Sequence, residues 1–402
     1  MKNRLLLDYS RESHLLGVIF VVAILLPHVG LLYLINPILL LYLGIRYFSS
    51  KNVSPLQWAM IALITVSIII NLLSGVNISS KSLIRTLYII GILLFFPFCK
   101  EIKIPNIYIY ATASIILLSQ LCYVLNIDFL IDLFNVIYPY TGNIESESVD
   151  YLVEQSQEAE NLLDFESIRY GGLFHNSNQC MKYMSLCTVA FLLENREKSI
   201  VKVIPLLAIV LTSSIFAGSR TGFIVVLLSI FTSWLYRKDI GLVAKVLLSL
   251  GIAVCALYLL PESVFSQSRL FQISTGIEKE GSLSLKYANL KEYFGKADSF
   301  RAIFFGNISL ESIKELYHTH FSQFDSEWGN AIYFYGVPFF LIYTFFLLYI
   351  AFRLKGDYRI AAFILLWAIS STILFSYRTS FAFFLLASKY FYASNKQIPQ
   401  RL

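Results

Sequence analysis

Long apolar blocks recur along this chain, and they decide what it can fold into. From Leu15 to Phe48 there is a single charge, Arg46. Further blocks run from Leu56 to Leu73, Leu83 to Phe98, Ile104 to Leu125, Met181 to Leu193, Val203 to Ala217, Gly222 to Tyr236, Gly241 to Leu260, Gly329 to Phe352, Ile360 to Phe375 and Phe381 to Tyr392. A hydrocarbon core about 30 Å thick takes roughly 20 helical residues. Leu15 to Phe48 is long enough for two short spans that turn at Pro27 to Gly30, which brings the expected total to about 12 transmembrane helices. Several blocks are shorter than a span and borrow flanking Tyr, Trp, Ser or Asn. With 57% apolar residues and a mean hydropathy of +0.65, a soluble multidomain chain is excluded. The expectation is an all-α, polytopic membrane protein forming one domain over residues 1–402. Its opening Met1-Lys2-Asn3-Arg4 is followed by no small-x-small cleavage site before the next apolar block, so the first span is read as uncleaved.

Orientation follows from Lys and Arg in the connecting segments. With the N-terminus inside, the inner segments hold 18 of them and the short outer loops 4, namely Lys81, Arg85, Arg220 and Arg378. The net charge of +6 is mostly this topological signal, and it is no argument for a nucleic-acid partner. Both long polar loops, 127–171 and 261–328, then face outside. The five cysteines lie in or beside spans, so disulfides and zinc sites are not expected.

The first loop carries ten acidic residues and one basic, Arg169; as a charge run its plain reading is a solvated loop. In the second, Leu283, Tyr287, Leu290 and Phe294 recur at helical spacing with Lys286, Asn289 and Lys291 elsewhere on the wheel. That pattern suits a helix lying on the membrane surface and equally one packed on the protein. None of the 26 Asp and Glu residues falls inside an apolar block, which argues against an ion-coupled transporter, since these keep carboxylates near the bilayer centre.

Three polar clusters border the outer boundary. Arg169 to Cys180 reads RYGGLFHNSNQC and holds Arg169, His175, Asn176 and Asn178 at the membrane edge. Ala217 to Gly222 reads AGSRTG, a turn so short that Arg220 either snorkels to headgroups or clamps an anion, because a guanidinium grips phosphate oxygens with two donors. His318 to Gly336 packs His318, His320, Asp325 and Glu327 beside the next span. A two-residue His spacing without Cys is a weak metal signal, whereas a neutral His or an ionised carboxylate suits a general base. Arg378, in the turn SYRTS, adds another outer cation.

The segments Arg169 to Asn178, Gly218 to Gly222 and Asp325 to Gly336 resemble, in order, the recurring motifs of the bacterial O-antigen polymerase and ligase superfamily of membrane glycosyltransferases. The ligases typically show a His, then Asn, Ser or Gln, then nine residues, then Gly. Here Ser326 is followed by nine residues and Gly336, with Asp325 where the His would stand, which favours a Wzy-type polymerase over a ligase. The family also places an Arg ahead of a Phe-Gly in the late loop. Phe305 and Gly306 are present, with Lys286 and Arg301 as the nearest upstream basic residues, and that role stays open between them.

The resemblance implies a GT-C-like glycosyltransferase architecture. It also implies undecaprenyl-pyrophosphate-linked repeat units as donor and acceptor at the periplasmic face of a bacterial inner membrane, with neither nucleotide sugar, cofactor nor metal. The expected catalytic residues are His320, Asp325 and His318. The expected substrate-binding residues are Arg169, Asn178, Arg220, Lys286, Glu327 and Arg378. Membrane lipid, a chain-length regulator and a flippase are the expected partners. The competing readings are a ligase that moves glycan to lipid A core and a lipid-linked oligosaccharide flippase; against the latter, only Lys182 lies well within a span.

Overall fold

The computed structural model describes residues 2–27, 32, 34–47, 53–96, 104–138, 170–174, 177–195, 203–235, 300–308, 326–353, 363–364, 366–368 and 372–396. These residues form helices α1 (Lys2–Leu25), α2 (Ile35–Tyr47), α3 (Pro55–Leu73), α4 (Ser80–Phe95), α5 (Asn106–Val124), α6 (Asp128–Ile137), a 3-10 turn (Gly172–Phe174), α7 (Ser177–Glu194), α8 (Ile204–Ala217), α9 (Arg220–Leu235), α10 (Phe300–Phe305), α11 (Glu327–Arg353) and α12 (Tyr377–Lys396). No strand occurs among the described residues.

Three helices, Pro55–Leu73, Asn106–Val124 and Glu327–Ile350, are long and apolar enough to cross a membrane. Shorter apolar helices cover Glu12–Leu25, Ile35–Arg46, Ser82–Phe95, Ile204–Ala217 and Thr221–Phe231. The exposed surface has the matching chemistry: Ile45 and Leu73 are each 83% exposed and Ile107 67%, a cost in water at about 25 cal/mol per Å² of apolar area that lipid removes. Polar residues turn inward instead, with Gln57, Asn71, Gln120, Lys182 and Asn330 all buried, as in helix bundles embedded in lipid. The chain is an all-α membrane protein. The apolar block Gly241–Leu260 lies outside the described residues, and of Ile360–Phe375 only the helical stretches 363–364 and 366–368 and the turn 372–375 are described. The amphipathic segment around Leu283–Phe294 and most of both long loops also lie outside them.

Cross-helix hydrogen bonds sort the helix termini into two ends. At one, Gln57 of α3 donates from Nε2 to the carbonyls of Leu93 (2.6 Å) and Phe96 (2.7 Å), groups that the last turn of α4 leaves without an intrahelical partner. The same side chain completes a capping box: Ser54 Oγ accepts from the Gln57 amide and Gln57 Oε1 from the Ser54 amide, with Pro55 opening the helix. Asn106 at the start of α5 and Asn195 just after α7 exchange side-chain amide bonds of 2.9 and 3.0 Å. Arg46 reaches Tyr42 at 2.7 Å and pairs with Glu12.

The other end receives both long loops and is called the loop end here. The Tyr138 hydroxyl, just past α6, donates to the Leu25 carbonyl closing α1 (2.5 Å). The Tyr170 amide donates to the Phe216 carbonyl at the end of α8 (2.9 Å), and Gln120 near the end of α5 donates to the Tyr170 carbonyl (2.8 Å).

Helix α11 is broken near this end. Gly336 has φ +84° and ψ 172°, a left-handed-side φ that glycine tolerates best, and Pro338 has no amide to give the carbonyl four residues back. The break frees carbonyls, and the Asn307 amide takes that of Tyr333 at 2.6 Å. A Cβ on Gly336 would meet the backbone of Phe304, and one on Gly306 (φ +67°) the backbone of Phe334. Segment Phe300–Ile308 is therefore seated in the gap of a discontinuous helix, held from the other side by Ser67 and Asn71 of α3, which donate to the Phe305 and Gly306 carbonyls. Irregular backbone inside a membrane protein is tolerated where protein satisfies it in this way.

Candidate functional site at the loop end

The site begins with the segment that leads into α7. Gly172, at φ +57°, turns the chain against α5, where a side chain would collide with Ser119. Ser119 Oγ accepts from the Leu173 amide at 3.1 Å. This anchors Leu173 and Phe174, both buried, at the mouth of the bundle. Asn178, in the first turn of α7, accepts from Ser219 Oγ at 2.9 Å. Ser219 follows Gly218, which ends α8 in the left-handed conformation, and precedes Arg220, the first residue of α9. Asn178 and the backbone of Arg220 are thus drawn to one corner.

A second turn, Thr372–Ser376, carries Arg378 into the same end. It is gripped by two buried charges of opposite sign. The carboxylate of Glu327, fully buried, accepts from the amides of Ile373 and Leu374 (2.7 Å each) and from the Tyr343 hydroxyl (2.5 Å). Lys182 of α7, 1% exposed, donates to the Thr372 carbonyl at 2.9 Å. Cation and anion are bridged through consecutive peptide units, so each charge has the partners a buried ion requires. Ser376 then caps α12, its Oγ accepting from the Thr379 amide at 3.4 Å. Although no acidic residue falls inside an apolar block of the sequence, Glu327 opens a span-length helix and is buried.

Two arginines at this end differ from those charges. Arg378 lies over the Phe174 ring at 5.7 Å, and its Nε is buried with no hydrogen-bond partner among the described residues. Phe174 in turn packs on Tyr183 at 4.7 Å, whose hydroxyl accepts from Thr379 at 3.4 Å. Burial raises the Tyr138 phenol above its ordinary value and the charge of Arg378 opposes the rise, so these two groups are within electrostatic reach. Arg85, on the second turn of α4, lies over Phe334 of α11 at 5.4 Å, and both its Nε and Nη1 are buried without a partner among the described residues. Beside it Thr86 and the Tyr335 hydroxyl are 3.0 Å apart. Tyr88 and Tyr377 join the helices that carry the two arginines: the Tyr88 hydroxyl donates to the Tyr377 carbonyl at 2.9 Å and their rings meet edge-on at 4.5 Å. Ring faces stabilise a guanidinium by about 0.5–2 kcal/mol but accept none of its N–H groups in the plane. Buried, unshared N–H donors on a fixed cation are suited to an oxyanion.

A third arginine, Arg301 of α10, is committed within the protein: its Nη1 donates to Asn71 Oδ1 at 2.9 Å. Among the described residues the only ion pair is Arg46 with Glu12, far from this end, and no group of three His, Cys, Asp or Glu gathers as a metal site.

Of the site residues expected from sequence, Asn178, Arg378 and Glu327 are described side chains at the loop end, and Arg220 opens α9 there. His318, His320, Asp325, Arg169 and Lys286 lie outside the described residues. Glu327 hydrogen-bonds the chain's own turn, holding Arg378 in place. Arg85 is the residue that sequence reasoning passed over. Its signal was its place among the four cations of the short outer loops, where it counted only towards orientation. No protein-family model matches the chain, and no curated protein matches it.

Proposed function

We propose that this protein is a membrane glycosyltransferase that polymerises undecaprenyl-pyrophosphate-linked oligosaccharide repeat units into O-antigen or a related surface polysaccharide. In this reading about 12 helices form a GT-C-like bundle, and the loop end faces the periplasm from a bacterial inner membrane. The observation that carries it is the pair of arginines whose buried N–H groups lack an acceptor among the described residues, at the end that receives both long loops. A diphosphate leaving group gathers negative charge as its bond to the sugar breaks, and donors fixed in advance where that charge develops lower the barrier. The motif order in the sequence supplies the choice of substrate.

The acceptor hydroxyl oxygen bonds to the donor's anomeric carbon while the bond from that carbon to the diphosphate oxygen breaks. The hydroxyl proton passes to His320, oriented by Asp325, with His318 secondary, and undecaprenyl diphosphate departs held by Arg378, Arg220 and Arg169. Asn178 and Lys286 contact substrate, and Glu327 acts through the turn it holds. A chain-length regulator and a flippase are the protein partners that fit this chemistry.

Deleting the gene and running the surface polysaccharide on a gel tests the reading. A polymerase defect leaves core carrying a single repeat. Bare core with glycan stranded on its lipid carrier would identify a ligase instead, and an unchanged ladder would remove the protein from this chemistry. With purified enzyme and lipid-linked repeats, full turnover by His320→Ala would move the base to Asp325.

A further inference from the structure

We infer that α6 is an in-plane membrane helix, whose exposed apolar face is seated in the lipid leaflet at the loop end and held there by apolar insertion, without anionic headgroups. The inference stands on its own, whatever reaction the loop end carries. The chain leaves α5 through a Schellman motif: the Ile127 amide donates to the Cys122 carbonyl at 3.0 Å, the Asn126 amide to that of Tyr123 at 3.3 Å, and Asn126 holds φ +49°. Helix α6 then starts at the end of one span and finishes at the end of another, because the Tyr138 hydroxyl just past it donates to the carbonyl of Leu25, the last residue of α1. Tyr123 of α5 also donates to Asn135 Oδ1 at 3.2 Å. With both its ends at the level where spans stop, α6 lies across the end of the bundle.

Three faces follow from the sequence of this helix. Phe134 and Tyr138 pack on the core. Asp128, Asp132 and Asn135, at i, i+4 and i+7, form a polar face. Phe129, Leu133, Val136 and Ile137, at i, i+4, i+7 and i+8, form an apolar one. On it Phe129 is 77% exposed and Val136 78%, and no residue of α6 is buried. Lipid at headgroup depth covers such an apolar face and leaves the carboxylates to water.

Continuity and charge single out lipid as the cover. The exposed apolar residues of α6 continue those of α5, from Leu118 and Leu125 through Ile127 to Phe129, so the lipid around the span extends onto α6. No Lys, Arg or His occurs from Asn126 to Ile168. Helix α6 thus has no cation for an anionic headgroup, and the acidic sequence that follows shares the sign of its polar face. Arg378 lies within electrostatic reach of Tyr138, so the lipid level that α6 marks is tied to that arginine.

The test is photo-crosslinking of the full chain in lipid nanodiscs, with p-benzoylphenylalanine placed at Phe129, at Val136 or at Asp132. Phospholipid adducts, read by mass, are expected from Phe129 and Val136 and absent from Asp132. Either apolar position serves if the other variant fails to fold. Yields should be equal in phosphatidylcholine and phosphatidylglycerol discs and unmoved by salt. Crosslinks to residues 139–168 of the same chain, a crosslinked dimer, or no adduct at all would overturn the lipid assignment. Equal lipid adducts from Asp132 would overturn the in-plane orientation, and adducts confined to phosphatidylglycerol would overturn insertion without charge.

Discussion

The two ends of this bundle treat their charged and amide side chains differently. At the end away from the loops Gln57 closes the carbonyls of α4, Asn106 and Asn195 satisfy each other, and Arg46 has Glu12, although the Ser13 hydroxyl beside Glu12 is buried with no hydrogen-bond partner among the described residues. At the loop end Glu327 and Lys182 are equally well partnered, yet a few residues away Arg85 and Arg378 keep buried donors idle. An idle buried donor costs about 1–3 kcal/mol. In the proposed function a diphosphate relieves that cost, and on that reading the difference between the ends separates what holds the fold from what binds substrate.

The largest way to break the comparison is at the Glu327–Lys182 bridge. Glu327→Ala leaves Lys182 as an uncompensated buried charge and should cost about 3–5 kcal/mol, read as lost folded protein in detergent. Glu327→Gln with Lys182→Met removes both charges and should recover much of that loss. No recovery would mean that the two residues do not act through the shared turn. Next in size, Gly336→Ala forces a side chain onto φ +84° against the Phe304 backbone. A destabilisation of about 1–3 kcal/mol is expected, with Phe300–Ile308 becoming open to limited proteolysis before the rest of the bundle. Smaller again, Gln57→Leu removes a cap and leaves two carbonyls unpaired at the opposite end. It should cost about 1–2 kcal/mol in thermal unfolding without altering diphosphate binding, and a binding defect there would erase the division between the ends.

Much of the fold was legible because lipid imposes a simple rule: the apolar blocks at Leu56–Leu73, Ile104–Leu125 and Gly329–Phe352 are the three span-length helices nearly to the residue. The break in α11 was half legible. Pro338, two residues after Gly336, announces a carbonyl without a partner, but the segment that fills the gap arrives from a part of the loop that periodicity does not connect to it. Glu327 was read by its neighbours, Asp325 and the two histidines, whereas its role is decided by the amides of Ile373 and Leu374, 46 and 47 residues further on. Arg85 was hidden for a related reason. An arginine at a helix start is ordinary in sequence, and only its place over Phe334 shows that it has a ring beneath it and no acceptor beside it among the described residues.

Thermal unfolding of Arg85→Met and Arg378→Met, with and without geranylgeranyl diphosphate, tests the central claim most directly. If the idle guanidiniums are held for an anion, each variant without ligand should be more stable than wild type by about 1 kcal/mol, a rise of roughly 2 °C. Added diphosphate should then raise the wild type most, each single variant less, and the double variant least. Variants that unfold earlier than wild type, combined with a wild type indifferent to the diphosphate, would show that both arginines serve the fold and would contradict the account.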